Sequence, residues 1–296
     1  MKKRYGLLAH PVKHSLSPVM YDAAFEVMGL DAHYEVFDVP PEGLGEFMKR
    51  AVSENITGLS VSLPHKEAII PYLKYTTADV RAIGATNTVV YCGNNEFFGL
   101  NTDYKGALKA IKERYKKLCG RVNLKDKIVV LLGAGGSSRA IAYALLKAGA
   151  HVWVKNRTKE KSLKMAVDFA EMFRAEIHAD DWESLNTGDI LINTTSFWLN
   201  NKGISEDELP FFCNREFLRE FEVVMDISYN NGMDNFPHPL KTPLILAAEE
   251  ERVATITGEK MLLHQAVEQF KYWFDEPAPV WVMKEALEAK LASTHF

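Results

Sequence analysis

KIVVLLGAGGSSRAIAYALLKAGAHVWVKNRTKEK, residues 127–161, reads as strand, glycine turn, helix and second strand. Ile128 to Leu132 is uncharged and apolar, the pattern of a strand buried on both faces of a parallel sheet. Gly133, Ala134, Gly135 and Gly136 form a turn in which backbone N–H groups can approach a pyrophosphate. A helix predicted over 136–147, with Ser137 in its first turn, adds its N-terminal dipole. Gly149 is the expected C-cap of that helix. The third position of the usual glycine fingerprint is Ser138, so the reading rests on the strand-turn-helix-strand context rather than on glycine spacing. Dinucleotide sites commonly place an acid about 20 residues after the first glycine to hold a ribose hydroxyl. Here 152–158 contains none and ends in Asn156, Arg157 and Thr158, with Lys161 one turn further on. Arg157 suits a 2′-phosphate, which makes NADP the expected cofactor. The competing reading is a solvated arginine after a strand.

Composition bounds the partners. A chain of 296 residues has room for two domains with buried cores. A formal net charge of −4 leaves no basic surplus to hold a nucleic-acid backbone, so no nucleic acid is expected. The basic start MKKRYGLLAHPVKHS is interrupted at His10, Pro11 and Lys13, and no run reaches the roughly 18 apolar residues of a membrane span, so neither a signal sequence nor a membrane segment is expected. Cys92, Cys119 and Cys213 are odd in number and lack CxxC spacing, which argues against disulfides or a zinc site and for a reducing cytoplasm. Pro11 between His10 and His14 argues against a helical metal pair, and no metal is expected. The expected state is a monomer or homodimer acting on a small molecule.

The first third alternates: strand 5–9, helix 18–28, strand 32–39, helix 44–54, strand 58–63. This rhythm predicts a mainly parallel α/β sheet. Thr88 to Tyr91 and Glu96 to Leu100 flank Gly93-Asn94-Asn95, a hairpin signature. An amphipathic helix over 104–117 leads into the nucleotide unit, and strands at 176–178, 190–194, 223–228 and 253–257 complete a Rossmann-type doubly wound sheet. Two helices, 261–275 and 280–291, follow with no further strand, and the apolar Phe270, Trp273 and Leu287 on them need burial. They are expected to return to the first domain. The predicted fold is therefore α/β with two domains: 1–104 with 258–296, and a dinucleotide-binding domain over 105–257.

Three polar clusters fall where such sheets collect ligand groups, at strand ends: His14-Ser15-Leu16-Ser17-Pro18, Ser60 to Lys66, and Asn101-Thr102-Asp103. Ser17 is a good N-cap ahead of Pro18, which leaves Ser15 unexplained, and two hydroxyls at a helix start suit a carboxylate ligand. Lys66 opens a predicted helix, where the dipole disfavours a cation. Asp103 is a candidate N-cap of the next helix, and with Lys66 it is equally a candidate proton-transfer pair.

The motifs HSLSP, SLPHKE, IGATNT, NTDYKG, LLGAGGSSRA, KNRT, INTTS, TPLIL and GEKMLLHQAVEQF span nearly the whole chain. In this order they resemble the shikimate dehydrogenase family. The resemblance implies reversible hydride transfer between NADPH and the ketone of 3-dehydroshikimate, giving shikimate on the route to chorismate. It implies that Lys66 and Asp103 sit at the reacting carbinol, and that Ser15 and Ser17 bind the substrate carboxylate. Ser62, Asn87, Gln265 and Tyr229 are implied as further substrate contacts. Gly133 to Ser137, Asn156, Arg157, Thr158, Lys161, Thr195, Gly258 and Met261 are implied at the cofactor. Without the resemblance, Asn87 reads equally as a turn residue, Gln265 as an exposed helix residue and Met261 as core.

The chain also departs from the family. Related chains commonly read NVTVPHK where this one has Ser60-Val61-Ser62. Phe197-Trp198-Leu199-Asn200 replaces a short stretch with glycine and methionine, and the link from Asn230 to Lys241 is longer than usual. The aromatics either reshape the cofactor site or pack an altered loop. Two alternatives stand beside the main reading: a quinate/shikimate dehydrogenase of broader acid or cofactor use, for which Ser60 and Ser62 make room, and a non-catalytic NADP- or metabolite-binding regulator. A regulator is expected to lose the Lys66 and Asp103 pair, which this chain keeps.

Overall fold

The computed structural model describes residues 2–12, 15–182, 184, 187–200, 209–229 and 241–293. They form two compact units, the first running to Asp103 and resuming at Gln265, the second running from Tyr104 to His264. Residues 258–264, expected with the first domain, cluster with the second. The reason is tertiary packing: a Cβ on Gly258 would lie 2.4 Å from the Ile227 carbonyl oxygen, and His264 is 3.0 Å from Glu113, both in the second unit.

In the first unit, β1 (Lys3–Ala9), α1 (Ser17–Val27), β2 (Ala32–Asp38), α2 (Leu44–Ala51) and β3 (Ile56–Val61) alternate as the sequence predicts. Strand β1 lies between parallel β2 and β3, with Leu7 opposite Val36 on one side and Ser60 on the other. There follow α3 (His65–Ala68), β4 (Tyr75–Thr76), α4 (Ala78–Ile83), β5 (Thr88–Gly93) and β6 (Glu96–Leu100). The order is β2-β1-β3-β5-β6-β4, and β5 runs antiparallel to both β3 and β6. This mixed topology returns the start of β5 and the end of β6 to the edge where β1 and β3 end. Both faces are covered. Leu8 packs with Leu44, Phe47 and Met48 of α2. Tyr5, on the opposite face, meets Phe25 of α1 and Trp273 and Phe274 of the returning segment at ring-centroid distances of 5.7, 5.1 and 5.0 Å. Ser17 does not cap α1 as expected; Ser17 is its first residue, and the Ser15 hydroxyl accepts from the Ser17 N–H at 3.1 Å.

The second unit is built from α5 (Asp103–Cys119, from its second residue), β7 (Ile128–Leu132), α6 (Gly136–Lys147), β8 (His151–Lys155), α7 (Lys159–Phe173), β9 (Ile177–Asp180) and β10 (Ile190–Asn193). It continues through α8 (Phe197–Asn200), α9 (Arg215–Leu218), β11 (Val223–Asp226), α10 (Pro243–Glu250) and β12 (Ala254–Ile256). All six strands are parallel in the order β12-β11-β10-β7-β8-β9, so the winding reverses between β7 and β10. Such a reversal opens a crevice at the carboxyl ends of its two strands. Val129 to Leu132 and the whole of β10 are buried, as a sheet covered on both faces requires. Helix α6 is capped by Ala148, with Gly149 one residue beyond it in the left-handed region. Helices α11 (Gly258–Phe274) and α12 (Val280–Ser293) end the chain.

In the altered segment after Ser196, Trp198 is a core residue. Trp198 is fully buried against Phe212 and Leu244, and its indole N–H donates to Asp226 at 2.7 Å. Residues 230–240, most of the longer link, lie outside the described residues. Among the described residues no helix is long and apolar enough to cross a membrane, and Cys92, Cys119 and Cys213 are unpaired.

Burial holds the His264 imidazole below its ordinary range, against the opposing pull of Glu113, and its Nδ1 is buried without a partner. A histidine depressed in the fold contributes stability above its unfolded pKa of about 6.5 and loses it as pH falls through the lower folded value. His264→Phe is therefore expected to flatten the decline of the thermal midpoint between about pH 7 and 5. An unchanged slope in thermal scans across that window would count against the assignment.

Candidate active site

The edge of the first sheet where β3 and β6 end and β5 begins gathers the groups that the sequence points to. Lys66, in α3 just after β3, places its Nζ 2.5 Å from Asp103 Oδ2, and both side chains are nearly buried. A charge-assisted bond of this length fixes the ammonium and offsets its desolvation. The adjacent His65 takes no part: its Nε2 lies 2.6 Å from the Val39 carbonyl oxygen, anchoring α3 to the end of β2. Asp103 can serve Lys66 because another residue does the local capping. The Asn101 carboxamide oxygen accepts from the Asp103 N–H at 3.0 Å, leaving the Asp103 carboxylate to the pair.

Asn87 sits between the strands as the hub. Its Oδ1 accepts from the Thr102 N–H at 2.6 Å and the Thr88 hydroxyl at 2.8 Å, which turns Nδ2 toward Asp103 Oδ1 at 2.8 Å and Gln265 Oε1 at 3.2 Å. The exposed reading of Gln265 is replaced, since it is buried, while Asn87 lies at the bend before β5 and is buried there. Thr88, which donates to Asn87 together with the Thr102 N–H, is a contact that residue type alone does not single out. Ser62, half-buried at the end of β3, and the buried Ser17 have side-chain hydroxyls without a partner among the described residues.

Ser60, where related chains commonly read asparagine, is buried. It accepts from Tyr34 at 2.7 Å and donates to Gln269 Oε1 at 2.8 Å. Burial pushes the Tyr21 phenol well above its ordinary range, so it remains a donor to the same Gln269 oxygen, at 2.5 Å.

In the second unit, Gly133 follows β7 at φ +108°, and a Cβ there would lie 2.5 Å from Thr194 Oγ1, at the end of β10. The turn thus lies at the winding reversal, and only glycine fits. Ser138, the irregular fingerprint position, is buried and bonds Thr194 through their hydroxyls. Gly135 is the N-cap of α6 with no side-chain cap bond, and a Cβ on it would meet nothing within 4 Å. The start of α6 thus has room beside Gly135 and no side-chain cap, which suits a pyrophosphate at the helix N-terminus. Thr195 is held by Asn193, whose Oδ1 accepts from its N–H at 3.0 Å and its hydroxyl at 2.8 Å. Beyond β8, Asn156 donates to the Thr158 carbonyl at 2.8 Å, while Arg157, Thr158 and Lys161 are exposed. The Arg157 guanidinium has no ion pair or hydrogen bond among the described residues. These features fit a dinucleotide with a 2′-phosphate. Met261 is buried, as a core residue would be, and Gly258 has a packing reason of its own in the carbonyls of Ile227 and Ser228. Tyr229 follows β11, half-buried.

A doubly wound parallel sheet with a glycine turn at its reversal, in one chain with a buried lysine-aspartate pair at the edge of a second α/β sheet, defines a dinucleotide-linked dehydrogenase. Residues 7–89 match the family model described as "Shikimate dehydrogenase substrate binding domain", 114–228 match "Shikimate / quinate 5-dehydrogenase" and 258–288 match "Shikimate 5'-dehydrogenase C-terminal domain". The chain belongs to the shikimate dehydrogenase family. It is 40% identical to the NADP(+) shikimate dehydrogenase of Thermococcus kodakarensis over 269 residues, covering 91% of this chain and 90% of that one. A crystal structure of a shikimate dehydrogenase in complex with NADP+ superimposes with a TM-score of 0.82 at 35% identity, covering 98% and 96% of the two chains. The ligand-free 5-ketofructose reductase of Gluconobacter sp. strain CHM43 reaches a TM-score of 0.76 at 32% identity, covering 98% and 99%.

Proposed function

We propose that this chain is an NADP-dependent shikimate dehydrogenase that reversibly reduces 3-dehydroshikimate to shikimate, the first unit binding the acid and the second the dinucleotide. The observation that carries the reading is the Lys66–Asp103 bond, nearly buried and oriented by Asn87. Bound NADPH supplies the hydride for the carbonyl carbon. As the C=O bond opens, charge grows on its oxygen, and Lys66 Nζ donates a proton there, an N–H bond breaking as the O–H bond forms. Water then returns a proton to the amine. Each Asp103 oxygen already accepts one bond, from Lys66 or from Asn87, and has a further lone pair for a ring hydroxyl. Gln265 lies within reach of the same ring through Asn87. The hydroxyls of Ser15, Ser17 and Ser62 donate to the substrate carboxylate, Ser15 keeping its proton because its oxygen accepts the Ser17 N–H.

Purified protein offered shikimate or quinate with NADP+ or NAD+ is expected to form reduced cofactor fastest with shikimate and NADP+. Faster turnover of quinate would replace the reading with a quinate/shikimate dehydrogenase, and preferential reduction of 5-ketofructose would reassign the substrate class. Tight NADPH binding by folded protein without any turnover would support the regulator. Arg157→Ala should raise KM for NADP+ by about 10- to 100-fold, the worth of one charge-assisted phosphate contact. KM for NAD+ and for shikimate should stay nearly constant, and an equal rise for both cofactors would remove Arg157 from the 2′-phosphate.

A further inference from the structure

Beneath the candidate site lies a second layer of buried polar groups that the proposed reaction does not use. Its centre is Gln269, which is 1% exposed and four residues after Gln265 on α11, hence on the same helix face. Its Oε1 accepts from Tyr21 at 2.5 Å and Ser60 at 2.8 Å, and its Nε2 donates to the Asn87 carbonyl oxygen at 2.9 Å. Two hydroxyl donors on one side and a carbonyl on the other leave the carboxamide a single orientation. The Asn87 carbonyl also accepts from the Val61 N–H at 2.8 Å, so both of its lone pairs are filled, one from β3 and one from the helix.

The consequence reaches Asp103. With its main chain clamped between Val61 and Gln269, Asn87 delivers Nδ2 to Asp103 Oδ1, and Asp103 Oδ2 holds Lys66. We propose that Gln269, steadied by Tyr21 and by Ser60 with Tyr34 behind it, is a positioning residue for proton transfer: it fixes Asn87 and thereby the Asp103–Lys66 geometry without touching substrate. This rests on the dehydrogenase reading above. A buried network of this kind acts as a unit, since a half-satisfied one leaves groups desolvated and unbonded.

The test compares wild type, Gln269→Met and Gln269→Glu in steady-state turnover of shikimate with NADP+, alongside circular dichroism and thermal melts. Methionine keeps the shape and removes every polar contact. Misplacing reacting groups by about 1 Å costs on the order of 100-fold, so kcat is expected to fall 10- to 100-fold while KM for NADP+ is unchanged. A protonated glutamic acid can reproduce the native pattern, one oxygen accepting from Tyr21 and Ser60 and its O–H donating to Asn87. Once ionised it would face the Asn87 carbonyl without a proton, with the Tyr21 phenol beside it, Tyr34 reached through Ser60, and the Lys66–Asp103 pair beyond Asn87. Gln269→Glu should therefore approach wild-type kcat at low pH and lose it through an added ionisation absent from wild type. Folded Gln269→Met with wild-type kcat, or Gln269→Glu with an unaltered pH profile, would overturn the proposal while wild-type turnover leaves the dehydrogenase reading standing. No wild-type turnover would overturn both.

Discussion

Lys66→Ala is expected to lower kcat for shikimate oxidation by about 10²- to 10⁴-fold, the range that one positioned acid-base group contributes. Part of any such loss could be structural, because removing one partner of a buried pair strands the other charge at about 3–5 kcal/mol. The two contributions separate in a double-mutant cycle. Lys66 and Asp103 share one bond at 2.5 Å, so each single variant should be destabilised in chemical denaturation. Replacing both, as in Lys66→Met with Asp103→Leu, leaves no stranded charge and should recover most of that stability. Activity should not recover. Groups that act as a unit are also non-additive in rate, so the double variant should be about as slow as the slower single one. Rates falling and recovering in step with stability would make the pair a structural bridge, and Lys66→Ala within about 3-fold of wild type would remove it from proton transfer.

What could be read from the sequence follows the range of the interactions concerned. The segment 127–161 is legible because its fold is local, a buried strand, a turn that needs Gly133 and a helix behind it. Lys66 and Asp103 are legible as residue types at strand ends, but their bond joins positions 37 apart and depends on β5 running antiparallel, which no local pattern specifies. Ser17 is the first residue of its helix rather than its cap, and its N–H is taken by Ser15, an equally local interaction. The two-residue β4 is too short to show a period. Gln269 is the clearest case of what composition conceals: it reads as one more polar residue on a helix, yet it meets Ser60 from 209 positions away. The grouping of residues 258–264 with the second unit is hidden for a similar reason, since the packing of Gly258 on Ile227 and Ser228 is tertiary.

Trp198 shows how such long-range packing sets stability. Trp198→Ala is expected to cost about 3–5 kcal/mol, as for other large core truncations, which would read as a large fall in the denaturation midpoint. Trp198→Phe separates packing from the hydrogen bond. It keeps much of the contact with Phe212 and Leu244 but leaves Asp226 without its indole donor, a loss of about 1–3 kcal/mol. Asp226 supplies a further check through pH. Burial raises its carboxyl above the ordinary 3.8, opposed by donors from Ser228, Asn193, Thr242 and Trp198. A carboxyl raised in the fold contributes stability that is complete below its unfolded pKa and is lost as pH rises through the folded value. Removing the indole weakens support for the charged form, so the gap between Trp198→Phe and wild type should be widest at neutral pH and narrow as pH falls through the folded pKa of Asp226. Denaturant titrations at several pH values measure that gap directly. A gap that stays constant on acidification would mean that the indole acts through volume alone, and that the segment after Ser196 evolved as core filling rather than as a brace for the strand end that carries Tyr229.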